Sequence, residues 1–436
     1  MASSPGPEHE AFTQWALSHG VQINGIAPAR FPGRGTGMVA TRTIEENETI
    51  LMVPPKSMVN IDTIPESFAR RLPAGTSKHA IIAAYLTLEA PKDLDAWRNV
   101  WPQWADFEES MPILWPAHLR RSDSKYQEEH ISRGPKILPP AASGLWNTFS
   151  NDPLEDDLVK EYQDLLAQQE ERLMCAWDNV VAAFPDTDWE TFVYHWLIVN
   201  SRSFYYVSPG KDVGEWVDAL TLVPFADYFN HANNDACEVR FVNQEYTFTA
   251  NRRYEKGEEI YMSYGPHSND FLLVEYGFFL DDNPNDAIFL DDIILREFTP
   301  SDRKALSSRI TQPTHEQSGG YAIEVTGPNI FITYAACLKY MTHKDWNAYI
   351  ERGSAAFNVE KTAHIISDWV TIYLNESDIG MMAIQNMLNN RASDRDAEAE
   401  RKKLFILLRR WRQIKRLCQT ALHSLAQSNW FGSQEG

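Results

Sequence analysis

The sequence predicts an α+β protein: two blocks of short strands separated by a long helical insertion, with a further helical region behind them. Two observations carry this. Between residues 22 and 60, and again between about 215 and 286, apolar runs of a few residues alternate with turns containing Gly or Pro, the pattern of small strands. Elsewhere apolar residues recur at spacings of three and four, the pattern of helices with one buried face. At 436 residues the chain is long for one domain and comfortable for two or three.

From the N-terminus, Glu8 to about Gly20 reads as a helix, with Phe12, Trp15, Ala16 and His19 at helical spacing and Gly20 as the stop. This gives an N-terminal helical segment, 1–21. The first strand block follows, with Gly37–Ala40 and Thr49–Val53 as its clearest runs. Residues 62 to 200 are mainly helical and rich in tryptophan, and the insertion extends to about 215. Within it, Glu155 to Phe184 is one long helical pattern that stops at Phe184-Pro185. A new helix is expected from Thr187-Asp188-Trp189-Glu190, where the S/T-x-x-E spacing reads as a capping box. Trp189, Phe192, Val193, Trp196 and Leu197 form its apolar face.

Strand character returns from Leu220 to Asp286. Val239–Val242 and Tyr246–Thr249 are set to pair across Asn243-Gln244, and Lys256-Gly257 marks another turn. One strand-bearing domain, 22–286, therefore encloses the insertion. Residues 290–436 are expected to be helical throughout, with Leu404, Leu407, Leu408, Trp411 and Cys418 on one face. Arg401 to Arg416 carries eight basic residues and no acidic one, which fits a solvated basic face or a docking surface.

Composition narrows the function. A hydrophobic share of 43% and a charged share of 23% are those of an ordinary folded protein. No apolar run approaches the roughly 18 to 20 residues that span a bilayer, and MASSPGPEHE has neither the basic start nor the apolar core of a secretory signal. A soluble cytoplasmic or nuclear protein is expected, and a monomer. The four cysteines (Cys175, Cys237, Cys337, Cys418) are scattered, without a CxxC pair, so neither a disulfide framework nor a metal site is expected. A net charge of -20 repels nucleic acid and favours a basic partner. Neither a nucleic acid nor a membrane is expected as partner.

Four segments hold chemistry-bearing residues. Gly33-Arg34-Gly35-Thr36-Gly37 allows a close backbone approach to a ligand, and equally a tight turn; it lacks the full dinucleotide fingerprint. Asn200-Ser201-Arg202-Ser203-Phe204 ends the Trp-rich helix with an arginine able to fork onto a carboxylate, or simply to complement the helix dipole. Leu222 to His231 gathers Asp227, Asn230 and His231 in an apolar run, too few ligands for a metal. Glu259 to Gly265 and Ser268 to Phe278 carry three tyrosines and two Tyr-Gly steps, which alone could be aromatic core.

Together and in this order, the four segments resemble the SET-domain methyltransferases, in the branch that holds the plant Rubisco large-subunit lysine methyltransferase and its fungal and animal relatives. The resemblance is clear over about residues 8 to 286; the helical tail is similar, with looser motifs, to that branch's substrate-binding domain. It implies a SET fold of small β-sheets in which the Asn-His and Tyr-Gly segments cross as a pseudoknot, here split by the helical insertion. It also implies S-adenosyl-L-methionine as cofactor, lined by Arg34, Gly35 and Thr36, with Arg202 on the methionine carboxylate and Asn230 and His231 at the adenine end. Tyr264 resembles the catalytic tyrosine, and Phe204, Asp227 and Tyr276 would shape a lysine channel.

The expected activity is protein-lysine N-methylation of a basic non-histone protein, with a ribosomal protein as first candidate. The absence of cysteine-rich zinc flanks fits this branch. One branch member modifies histidine and has an amide where Phe204 stands, so the phenylalanine favours lysine. Histidine methylation, or an inactive SET fold that only binds a partner, are the other readings; Tyr264, Arg202 and Asn230 are all present, against the last.

Overall fold

Fourteen short strands form four small sheets in the computed structural model, which describes residues 3–32, 34–121, 134–149, 163–207, 219–309, 320–353, 356–390 and 395–427. Gly33 and the first residues of the expected 155–184 helix lie outside the described residues. The chain divides into two compact units, Met1–Phe107 with Arg172–Pro266, and Glu108–Glu171 with His267–Gly436.

Among the described residues, the first unit holds three sheets. Strands β1 (Gln22–Ile23), β4 (Thr49–Val53), β10 (Glu245–Thr249) and β9 (Glu238–Val242) lie in the order β1-β4-β10-β9. Both runs read as strands are there, and β9 and β10 form the expected hairpin, with Val242 opposite Glu245. Its two turn residues, Asn243 and Gln244, have φ of 53° and 67°, the left-handed pair that matches the twist of a two-residue hairpin. A second sheet runs β2 (Ile26–Phe31), β3 (Gly35–Ala40), β11 (Glu259–Met262), β8 (Asn230–His231). Here β11 is antiparallel to β3 and parallel to β8, with Tyr261 opposite Asn230 and Met262 opposite His231. The third is β5 (Val59–Asn60), β7 (Leu220–Leu222), β6 (Ser203–Tyr205).

Helices complete the first unit. Pro7–Ser18 buries Phe12 and Ala16, and Phe12 stacks on Trp97 with ring centroids 5.9 Å apart. The helix Trp189–Arg202 starts one residue later than the capping-box reading required: Asp188 is the cap, accepting from the Thr191 amide at 2.9 Å, while the Thr187 hydroxyl donates back to Phe184 O. A carboxylate at the cap also complements the helix dipole, so Asp188 wins the position. Phe192, Val193, Trp196 and Leu197 are buried as the spacing required, whereas Trp189, in the first turn, is exposed.

This helix packs against Lys78–Leu88 through two histidines. His79 Nε2 donates to Trp196 O at 3.0 Å, and the ring stacks on Trp196. His195 faces Thr87 through Nδ1 and Arg98 through Nε2, at 3.1 and 3.4 Å. A guanidinium only donates, so Nε2 must be the unprotonated nitrogen. Burial pushes the His79 pKa down to about 3; burial, with Arg98 adding to it, takes His195 to about 4.

In the second unit, Val359–Asn389 and Arg395–Ala426 pack side by side. Gly380 makes this possible: a Cβ there would sit 2.7 Å from the Trp411 ring. Leu404, Leu407, Leu408, Trp411 and Cys418 are all buried. Residues 290–436, expected to be helical throughout, also hold β13 (Ala322–Glu324) and β14 (Gly327–Pro328), which form a small antiparallel sheet with β12 (Ala287–Phe289). Strands of two or three residues are too short to show a period of two. The block Ser268 to Phe278, expected within strand-rich sequence, is the helix Asn269–Tyr276, capped by Ser268 and stopped by Gly277 at φ 78°.

The basic segment 401–416 is not one solvated face. Arg410 is fully buried: Nε and Nη2 fork onto Asp270 at 2.8 and 2.9 Å, and Nη1 reaches Asp286 at 2.7 Å. Lys402, Arg409 and Lys415 pair with Glu109, Asp281 and Asp378. Arg410→Ala would strand two buried carboxylates and is expected to cost about 3–5 kcal/mol in denaturant unfolding. A second expectation concerns pH. The unfolded chain protonates His79 and His195 near the ordinary value of 6.5 while the folded chain does not. Their contribution is complete above 6.5 and is lost as pH falls toward about 4; His195→Gln should flatten that part of a stability-against-pH curve.

Candidate active site

The parallel pairing of β8 and β11 brings two of the four sequence segments together, and the antiparallel pairing of β11 with β3 adds the glycine segment. Beyond the end of β11, Tyr264 turns back over β8: its amide donates to His231 Nδ1 at 3.0 Å, the two rings stack at 5.0 Å, and its hydroxyl donates to Phe229 O at 2.7 Å. Tyr264 is half-buried, and burial first, then the nearby Asp227 and Glu259 charges, push its pKa up to about 12 against the pull of Arg202. The phenol therefore stays protonated, a donor to Phe229 whose oxygen keeps the capacity to accept.

Arg202, in the last turn of its helix, donates to Asp227 O at 2.8 Å and lies 3.5 Å from Asp227 Oδ2. Trp97 Nε1 donates to the same carboxylate oxygen at 3.0 Å. Burial raises the Asp227 pKa, and Arg202 and Trp97 offset it. The short 3-10 turn Ala226–Tyr228 that presents Asp227 is entered through Phe225 at φ 71°, a buried non-glycine residue in the left-handed region. Such a conformation costs on the order of 1–3 kcal/mol and is held by its surroundings, here Phe12 and Tyr228 against the Phe225 ring. Beside the turn, Phe204 lies edge-on to Tyr246 and Phe248 at 5.6 and 6.1 Å.

Arg34, Asn230 and Tyr261 converge on Glu259, whose side chain is 5% exposed. Gly35, at φ 73°, faces open space, with nothing within 4 Å of a Cβ built there; Thr36 follows it on β3. Tyr276 belongs to the second unit, where its ring lies near those of His267, Phe271 and Phe278.

Sequence reasoning missed three contributors. Trp97 gave no signal, because a tryptophan in an insertion rich in them is unremarkable. Phe225 shows its strain only in three dimensions. Glu259 stood at the head of a quoted segment, and a lone carboxylate in a strand with one buried face was the available clue.

A profile of the SET domain matches residues 35–265. The chain belongs to the SET domain family. This SET domain chain is 29% identical over 289 residues to a ribosomal lysine N-methyltransferase of Schizosaccharomyces pombe, a match that covers 65% of each chain. It is 23% identical to SET domain-containing protein 4 of Homo sapiens, over 94% of this chain and 90% of that one. The fold is that of Rubisco LSMT: a structure of that enzyme bound to AdoMet aligns over 99% of this chain and 97% of its own, with a TM-score of 0.53 at 16% identity.

SET methyltransferases use S-adenosyl-L-methionine. The residues present fit such a group. Among the described residues, Arg202 Nε, Asp227 Oδ1 and Ser203 Oγ are buried without a hydrogen-bond partner, and Gly35 offers open backbone. These are groups that a charged, polar ligand would satisfy. Trp97→Phe removes one of the donors that hold Asp227 and is expected to lower unfolding stability by about 1–3 kcal/mol, read in urea titrations.

Proposed function

We propose that this chain is an S-adenosyl-L-methionine-dependent protein-lysine N-methyltransferase that acts on a non-histone protein, with a basic ribosomal protein as first candidate. The observation that carries the reading is the half-buried Tyr264 phenol, protonated and fixed by Phe229 O, beside the Arg202–Asp227 pair in a SET fold. Relatives in two yeasts, 29% and 26% identical, are ribosomal lysine N-methyltransferases, and the net charge of -20 suits a basic partner.

When bound, S-adenosyl-L-methionine supplies an electrophilic methyl group on a sulfonium. Arg202 would hold its carboxylate, Arg34, Gly35 and Thr36 would line it, and Asn230 and His231 would take the adenine end. Phe204 and Asp227 would shape the channel for the substrate side chain. A lysine amine is a nucleophile only when neutral, and its ordinary pKa is about 10.4. Aromatic walls such as Phe204 strip water from the ammonium and favour the neutral form. The Tyr264 oxygen then accepts one amine hydrogen and aims the lone pair, so that the chain contributes alignment rather than proton transfer by an ionised base. We further assign residues 22–286 as the catalytic domain and 290–436 as the region that holds the substrate protein.

An actin-histidine N-methyltransferase of Gallus gallus is 23% identical over 63% of this chain, so histidine is the second reading; Phe204 offers an imidazole no hydrogen bond, which favours lysine. Tyr264→Phe should lower methyl transfer by about a hundredfold while leaving S-adenosylhomocysteine affinity nearly unchanged. The measurement is label transfer from S-adenosyl-L-methionine to extract of a deletion strain, alongside calorimetry, with hydrolysis of the labelled band to separate methyllysine from methylhistidine. An unlabelled extract, or equal loss of transfer and affinity in the variant, would count against the reading.

A further inference from the structure

Three polar side chains of the site meet on one carboxylate that none of the roles above uses. Glu259 Oε1 accepts from Asn230 Nδ2 at 2.8 Å. Its Oε2 accepts from the Tyr261 hydroxyl at 2.8 Å and from Arg34 Nη2 at 2.7 Å, and Arg34 also donates to the Tyr261 oxygen. Register explains the meeting: Tyr261 stands opposite Asn230 on β8, Glu259 stands opposite Val39 on β3, and Gly37 lies two residues before Val39.

Gly37 has no side chain for a reason that involves no ligand. A Cβ there would come within 2.6 Å of Asn230 Nδ2 and 2.7 Å of Glu259 Oε1, so the Asn230–Glu259 hydrogen bond fills the space over that glycine. The two outer glycines of Gly35-Thr36-Gly37 thus do different work: Gly35 leaves backbone open, and Gly37 makes room for the pair.

The pair also fixes a direction. A carboxylate only accepts hydrogen bonds, so Asn230 must turn its NH2 toward Glu259 and its carbonyl oxygen the other way. That oxygen is an acceptor, suited to an N–H donor of the cofactor. Meanwhile the Arg34 guanidinium, on a side chain 53% exposed, is tied by Glu259 to the edge of β11 and lies over the Phe31 and Tyr261 rings.

We propose that Glu259 is a positioning residue for cofactor binding: it sets the Asn230 amide as an acceptor toward the cofactor and fixes Arg34 beside it. This rests on the methyltransferase reading above. Glu259 touches no reacting atom, so its loss weakens cofactor binding and raises the KM for S-adenosyl-L-methionine, while kcat at saturating cofactor holds.

The test is calorimetric titration of S-adenosylhomocysteine into the full chain and the variants E259A, E259Q, G37A, N230A and E259A/N230A, with thermal melts to confirm folding. E259A and G37A should each weaken binding about tenfold, in line with loss of one charged hydrogen bond. E259Q should recover most of the affinity, because its amide oxygen still accepts from Asn230. In the N230A background, E259A should cost much less than it does alone. Parental affinity in both E259A and G37A, or full additivity in the double variant, would overturn the proposal and leave the methyltransferase reading standing. A parent chain that binds no S-adenosylhomocysteine would overturn both.

Discussion

The site hangs on two parallel residue pairs, Tyr261 with Asn230 and Met262 with His231. Parallel strands cannot be joined by a tight turn, so the chain must leave β8, build the β9–β10 hairpin, turn at Gly257 and return between β3 and β8 as β11. So short a ladder is weak alone. It is extended by amide donation from Ala232 to Met262 O at 3.0 Å and from Cys237 to Tyr261 O at 2.8 Å, and clamped by the side-chain bonds Asn230–Glu259 and Tyr264–His231. A slip of one residue would reverse which side chains face the site, separating Tyr264 from His231 and Glu259 from Asn230 together.

Buried charge is handled differently in the two units. Around Arg410 the donors and acceptors are matched: two carboxylates, the Gln413 oxygen and the Asn269 amide close a network with little left over. Around Arg202 they are not, since Arg202 Nε and Asp227 Oδ1 lack partners among the described residues. Satisfied networks rigidify, whereas an unmatched buried atom costs free energy until something meets it. The contrast separates a structural arginine from one with capacity left for a ligand, a distinction that residue type alone could not make.

Much of this was legible in the sequence. Thr49–Val53, the 239–249 hairpin and the helix after Pro185 follow from periodicity and turn chemistry, which act over a few residues. The order of the glycine, Ser-Arg, Asn-His and Tyr-Gly segments identified the family, and the fold pairs Arg202 with Asp227 and His231 with Tyr264. What stayed hidden depends on partners far along the chain. Asp270 read as part of a motif and Arg410 as one more surface cation, because only the fold joins them. The strands of 287–328 are too short for any period to register, and the left-handed Phe225 is set by its neighbours' packing rather than by its own preference.

Arg410 also imposes an order of events on synthesis. It is translated 140 residues after Asp270 and 124 after Asp286, so while a ribosome is still making the penultimate helix, both acids have yet to receive their guanidinium. They must stay hydrated, and the surrounding apolar surface cannot close over them. Docking of the last helix is therefore the step that seals the second unit. A nascent chain paused before residue 410 would carry that surface uncovered, as a target for chaperones rather than as a folded body.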